Sequence, residues 1–148
     1  DCADSNHLRN NFFKVLSSDS SYFKDWLFRN IKEKINLKDK VGILGISYKE
    51  DSFSIKNAPS LYLIKNAKKY KFLLHDFNFN HLDISIEFKQ LYSEENEILK
   101  NVNCIVLLHN NENYKKLNYR RKNLKLILDP FKFLDKKKLN KSTIYVTL

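Results

Sequence analysis

Glycine and proline are scarce in this chain and methionine is missing: two Gly, two Pro and no Met occur in 148 residues. With so few, Gly42, Gly45, Pro59 and Pro130 are each expected to mark a required turn or a helix start. Methionine is missing even at position 1, so the chain is expected to start after processing or to be a piece of a longer protein. No apolar run approaches the roughly 18–20 residues that span a bilayer, and no signal-peptide pattern opens the chain. Two cysteines exclude a disulfide framework. Cys104, inside the run Cys-Ile-Val-Leu-Leu, reads as a small buried hydrophobe. Cys2 lies at the terminus without a nearby partner, and a reducing, cytoplasmic setting is the expected compartment. His7, His75, His81 and His109 show no metal-ligand spacing, so no metal site is expected.

What is present suits one compact domain with a helical extension. Apolar residues make up 43% of the chain, and 11 Phe, 8 Tyr and one Trp supply large buried areas. The net charge of +10 raises the question of nucleic acid. The basic residues are mostly lysines, and no RNP-type aromatic motif, zinc-finger spacing or arginine-rich arm accompanies them. A lysine-rich solvated surface is therefore favoured over a nucleic-acid site, and a basic adaptor for nucleic acid or an acidic partner stays as a rival.

Along the chain, Phe12, Phe13, Val15 and Leu16 fit one helical turn, and Asp19 to Ser21 offer N-cap candidates. Phe23, Leu27, Ile31 and Ile35 recur at i+4 spacing and predict an amphipathic helix to about Ile35. Strands are predicted at 41–46, 72–77, 104–109, 124–128 and 143–148. Between them, helices are predicted at 59–69 and 86–101, the second open to interruption at Tyr92-Ser-Glu-Glu, and a helical turn at 112–117. A turn or short helix is expected around 133–139. Short apolar runs alternating with helices indicate a mainly parallel sheet covered on both faces. The fold class is α/β: a Rossmann-like three-layer α/β/α sandwich preceded by an N-terminal helix.

One segment concentrates the functional signal: Val41-Gly-Ile-Leu-Gly-Ile-Ser-Tyr-Lys-Glu-Asp-Ser-Phe-Ser-Ile-Lys-Asn-Ala-Pro-Ser60. It reads as a buried strand, a glycine turn, a polar loop with two lysines and a proline-started helix. That order puts cations and free backbone N–H groups at the carboxyl end of a strand, where α/β proteins bind anionic nucleotides. The full G-x-G-x-x-G pattern is absent, since Gly42 and Gly45 are three apart and no third glycine follows. Asp51 and Ser52 read as local turn caps. His75 and His109 end strands of one sheet; a general-base role is weighed against strand-end packing, which is favoured.

The segment resembles the start of the C-terminal, UDP-binding domain of the UDP-glucose/GDP-mannose dehydrogenase family. Leu44-Gly45, Tyr48-Lys49, Ser52, Lys56 and Pro59-Ser60 match its pattern without a gap, while Phe53, Ser54 and Ala58 depart from it. Downstream, Leu73-Leu-His-Asp76, Ile105 to Tyr114, Leu126 to Asp129 and Phe133-Leu-Asp135 also fit. The resemblance implies that residues 1–38 are a helical extension, the end of the central dimerisation region. Residues 39–148 would be the Rossmann-like nucleotide-sugar-binding domain. It further implies NAD held mainly by another domain, oxidation of a sugar's primary alcohol to a carboxylate, and a homodimer in the full protein.

By the same resemblance Tyr48 and Lys49 face the substrate, and Lys56 stands for an arginine on the NAD side. Asp76 matches a structural Asp-Pro turn, although in an ordinary dinucleotide fold it would hold the ribose. After Asp129 the family has a Gly-Arg pair, but here Pro130 and Phe131 follow, leaving Lys132 as the nearby cation. This departure keeps open a non-catalytic module that has lost its substrate. Cys2 is the one candidate nucleophile; the family's Lys-Asp pair is replaced after it by Ala3-Asp4-Ser5-Asn6, so no catalytic residue is assigned.

Overall fold

The computed structural model describes residues 21–49 and 52–148. The cap candidates Asp19 and Ser20, the turn at 12–16, Cys2, His7 and Asp51 lie outside the described residues. Among the described ones, no helix is long and apolar enough to cross a membrane.

Helix α1 (Ser21–Lys34) buries the stripe predicted for it: Phe23, Trp26, Leu27 and Ile31 face inward, followed by Ile35 just past its end. Each such side chain contributes about 1.5–3 kcal/mol on leaving water. Beyond α1 come β1 (Lys40–Leu44), α2 (Pro59–Asn66), β2 (Lys71–His75), α3 (Ile86–Lys89), α4 (Glu95–Asn101), β3 (Cys104–Leu107), α5 (Glu112–Lys115), β4 (Leu126–Leu128) and β5 (Ile144–Val146). The five strands form one sheet in the order β2-β1-β3-β4-β5, and every pair is parallel.

Successive strand residues feed two separate cores, as a pleat of period two requires. On one face Val41, Ile43, Leu74, Val106 and Leu128 pack with the α1 residues and with Leu63 of α2. On the other, Leu44, Ile105, Leu107 and Ile127 pack with Ile98 and Leu99 of α4 and with Tyr114 of α5. The result is the α/β/α sandwich, with α1 sharing a core with the sheet.

One local expectation is corrected. Gly42 makes no turn; it lies inside β1, where an added Cβ would sit 2.3 Å from Ile98 Cγ2. Its missing side chain lets α4 press against the sheet. The helix expected over 86–101 is interrupted around Tyr92-Ser-Glu-Glu, the break allowed for it: Leu74 donates its N–H to Leu91 O at 2.8 Å, and Ser93 N–H donates to Leu74 O at 2.9 Å. Helical and turn bonds run to Tyr92 N–H, and the sheet edge then takes Ser93 N–H. Helix α2 starts at Pro59, whose missing N–H costs nothing at a first helical position, and Ala58 caps it without a side-chain hydrogen bond.

Candidate functional site

Strand β1 lies between β2 and β3; the chain leaves β1 toward β2 and leaves β3 toward β4, so the connections diverge beyond the carboxyl ends of β1 and β3, the switch point of the sheet. Gly45 turns the chain there with φ +102, a conformation that favours glycine. The imidazole of His109, from the end of β3, fills the space beside it: a Cβ at position 45 would meet His109 Cγ at 2.5 Å.

Backbone N–H groups in this turn are not free, contrary to the expectation from sequence. Gly45 N–H donates to His75 O at 2.9 Å and Tyr48 N–H to Ser54 O at 2.8 Å. Between them, Ile46 and Ser47 donate to Asp76 Oδ2 at 2.8 and 3.0 Å, while Asn78 N–H donates to Asp76 Oδ1 at 2.8 Å. Asp76 is buried, and its carboxylate ties the end of β2 to the end of β1. This is a structural role, as the resemblance implies.

Ser47, His109 and Asp76 stand in the order of a hydrolytic triad, but the geometry is not that of one. Ser47 is buried and its Oγ donates to Lys49 O at 2.8 Å. His109 Nε2 lies 3.3 Å from that Oγ and 3.1 Å from Ser47 O, which makes it the donor to both. Its Nδ1 is 3.9 Å from Asp76 Oδ2, beyond hydrogen-bond range. His109 therefore packs and braces the loop, as favoured over a general base.

The loop after Ser47 is held by its own hydrogen bonds, with the Lys49 side chain outside them. The Lys49 carbonyl accepts from Ser47 Oγ at 2.8 Å and from Ser52 N–H at 2.9 Å. Ser52 Oγ accepts from Ser54 N–H at 3.2 Å, a local turn bond of the expected kind. Ser60 Oγ donates to Ile46 O at 2.5 Å, fastening α2 to the turn. Tyr48 is half-buried, while Lys49 and Lys56 are exposed. Lys132 is exposed beyond β4, in a left-handed turn with φ 53.

Lys49 and Lys132 thus share the carboxyl edge of the sheet, with β3 between their strands. The Asp129 turn before Lys132 is internally held: Asp129 Oδ2 accepts from Leu134 N–H at 3.0 Å and from Tyr145 Oη at 2.5 Å. Pro130 is buried, and the Phe131 ring packs 6.2 Å from that of Phe133. Cys104 is fully buried, and desolvation pushes its thiol pKa up, so it is inert packing.

Sequence reasoning missed the surroundings of His75. This buried ring contacts Tyr114 Oη at 2.9 Å through Nδ1 and Glu95 Oε2 at 3.1 Å through Nε2. Phe77, Tyr92 and Tyr114 rings surround it. Burial lowers its pKa, partly opposed by Glu95, Glu94 and Asp76. Its partners lie 20 and 39 residues away, so no local spacing signals the cluster.

Residues 42–136, more than half of the chain, match the model of the UDP-glucose/GDP-mannose dehydrogenase family, UDP binding domain. The chain belongs to this family. The matched span of this UDP-binding domain takes in Gly45, Lys49, Asp76, His109 and Lys132. A comparison with curated proteins gave no match. Among solved structures, the fold is similar to the UDP-N-acetyl-mannosamine dehydrogenase of Staphylococcus aureus, with TM-score 0.58 and 17% identity over 86% of this chain and 29% of that one. It is also similar to a UDP-glucose dehydrogenase from Pyrobaculum islandicum, with TM-score 0.57 and 15% identity over 83% of this chain and 28% of that one. A ternary complex of GDP-mannose dehydrogenase from Pseudomonas aeruginosa gives TM-score 0.56 and 18% identity, covering 93% of this chain and 32% of that one. The UDP-binding domain described here therefore spans roughly a third or less of these enzymes.

Proposed function

We propose that the domain holds the nucleotide end of a UDP-sugar at the carboxyl edge of its sheet, within an NAD-dependent nucleotide-sugar 6-dehydrogenase. The observation that carries this reading is the braced loop that leaves the Lys49 ammonium exposed at the end of β1, inside the span that matches the UDP-binding family. A diphosphate is a chelating dianion, and a lysine acts on it as a mobile point charge. Lys49 and Lys132 are assigned to that diphosphate and Tyr48 to the adjoining substrate surface. Lys132 takes over the charge that Phe131 does not supply.

The residues present do not fit NAD in the manner of a dinucleotide fold. His109 occupies the space beside Gly45, and Asp76 has taken the N–H groups that would face a pyrophosphate. NAD is accordingly assigned to another part of the full enzyme, with Lys56 as this domain's only proposed contribution toward it. The proposed reaction is oxidation of the sugar's primary alcohol to a carboxylate, in a cytoplasmic homodimer that serves surface-polysaccharide precursors. This chain alone is expected not to turn over.

Calorimetric titration tests the reading directly. UDP and UDP-sugars are expected to bind at micromolar affinity and to lose at least ten-fold with Lys49→Ala. Absence of binding by any nucleoside diphosphate sugar would refute it for this domain. Salt-sensitive binding to generic oligonucleotides instead would favour the basic adaptor.

A further inference from the structure

Among the described residues, His75, Glu94 and Glu95 bring one imidazole and two carboxylates together, with a ligand atom of each within 4.8 Å of the others. His75 Nε2 and Glu95 Oε2 are 3.1 Å apart. Two ligands on a tetrahedral zinc ion with bonds of about 2.0–2.1 Å stand about 3.3 Å apart, so this pair is already at ligand spacing. Glu94 is exposed, and its carboxylate lies within 4.8 Å of the other two ligand atoms.

A second observation comes from what stands behind each ligand. Metal-binding imidazoles commonly use their other nitrogen to donate to an oriented acceptor. Here His75 Nδ1 lies 2.9 Å from Tyr114 Oη, and Tyr114 Oη donates to the His75 carbonyl at 3.3 Å. With Nδ1–H donating to Tyr114, the Nε2 lone pair faces Glu95, an arrangement that a cation between them would stabilise. Tyr92 Oη donates to Glu94 Oε1 at 3.0 Å, and its ring stacks on His75. Both the imidazole and one carboxylate therefore have a tyrosine holding their orientation.

We propose that His75, Glu94 and Glu95 form a binding site for a divalent d-block cation of the Zn²⁺ class. One nitrogen and two carboxylate donors suit Zn²⁺, Co²⁺ or Mn²⁺, whereas Ca²⁺ and Mg²⁺ favour oxygen-only shells with more ligands. Two carboxylates neutralise the dication. The buried imidazole forms the floor, and the exposed Glu94 leaves entry and a fourth, water-accessible position on the solvent side. Bound there, the ion joins the end of β2 to the start of α4. None of its three ligands is a residue assigned above to the UDP-sugar.

The test uses the full 148-residue chain. Calorimetry with Zn²⁺ and visible absorption with Co²⁺ should show one saturable site that Mg²⁺ does not compete for, with a rise in Tm. Glu95→Gln and Glu94→Gln, on the accessible side of the cluster, should each weaken binding at least ten-fold while leaving the metal-free protein folded by circular dichroism. His75→Gln should abolish it. Absence of saturable binding, or equal affinity in wild type, Glu95→Gln and Glu94→Gln, would overturn the proposal; the second result would place the ion elsewhere on the chain.

Discussion

The imidazole of His109 rests against Gly45 so closely that a single Cβ at position 45 would lie 2.5 Å from ring Cγ and 2.6 Å from Cδ2. Residues from the ends of two neighbouring strands thus interlock where the Lys49 loop begins. Gly45→Ala brings two penalties together, a strained backbone at φ +102 and a clash with a buried ring. A loss of about 3 kcal/mol is expected, measured by urea denaturation. In a double-mutant cycle with His109→Ala, the clash share of that loss should disappear and the backbone share should remain.

Asp76→Ala removes the acceptor of three backbone N–H groups at once. Leaving buried donors unpaired should cost about 2–4 kcal/mol. Hydrogen exchange at Ile46 and Ser47 should rise more than at β4, because those two donors lose their partner directly.

Lys49→Ala should leave Tm unchanged, since the side chain is exposed and the loop is held through the Lys49 carbonyl. Affinity for UDP-sugars should fall at least ten-fold, or by about 1.4 kcal/mol or more. Lys132→Ala should act in the same direction. Lys49→Arg should retain most of the binding.

His75 gives a pH dependence of known sign. Burial lowers its pKa below the ordinary 6.5, so the unfolded chain binds the proton more readily than the folded one. Its contribution to stability is full above the unfolded pKa and is lost as pH falls below it. Denaturation midpoints for the metal-free protein should therefore decline from pH 7 toward pH 5. His75→Gln should flatten this slope, and Glu95→Gln should steepen it by removing the carboxylate that opposes the shift.

Much of this architecture is legible along the chain because a parallel sheet buried on both faces needs continuous apolar strands. The runs at 41–46 and 104–109 announce β1 and β3 that way, each overshooting the strand's end by two residues, and Pro59 marks the start of α2. The i+4 stripe from Phe23 to Ile35 gives α1 for the same reason. Contacts across long separations are not legible. Nothing local in the sequence says that Gly42 makes room for Ile98, that residues 91–93 leave the helix to bond Leu74, or that His75 meets Glu95. Lys49, Ser60 and Asp76 are all visible as matched positions, but what Ser60 and Asp76 do for the loop, bonding Ile46 O and the N–H groups of Ile46 and Ser47, is not legible in the sequence.

The Asp76 carboxylate has a consequence for evolution and engineering alike. It receives the two N–H groups just past the end of β1 much as a bound phosphate would, so the fold carries its own anion at that turn. Adding glycines to the turn would not create a dinucleotide site while that internal anion remains. On the proposed reading, one side chain is enough to separate the nucleotide's place from the cofactor's.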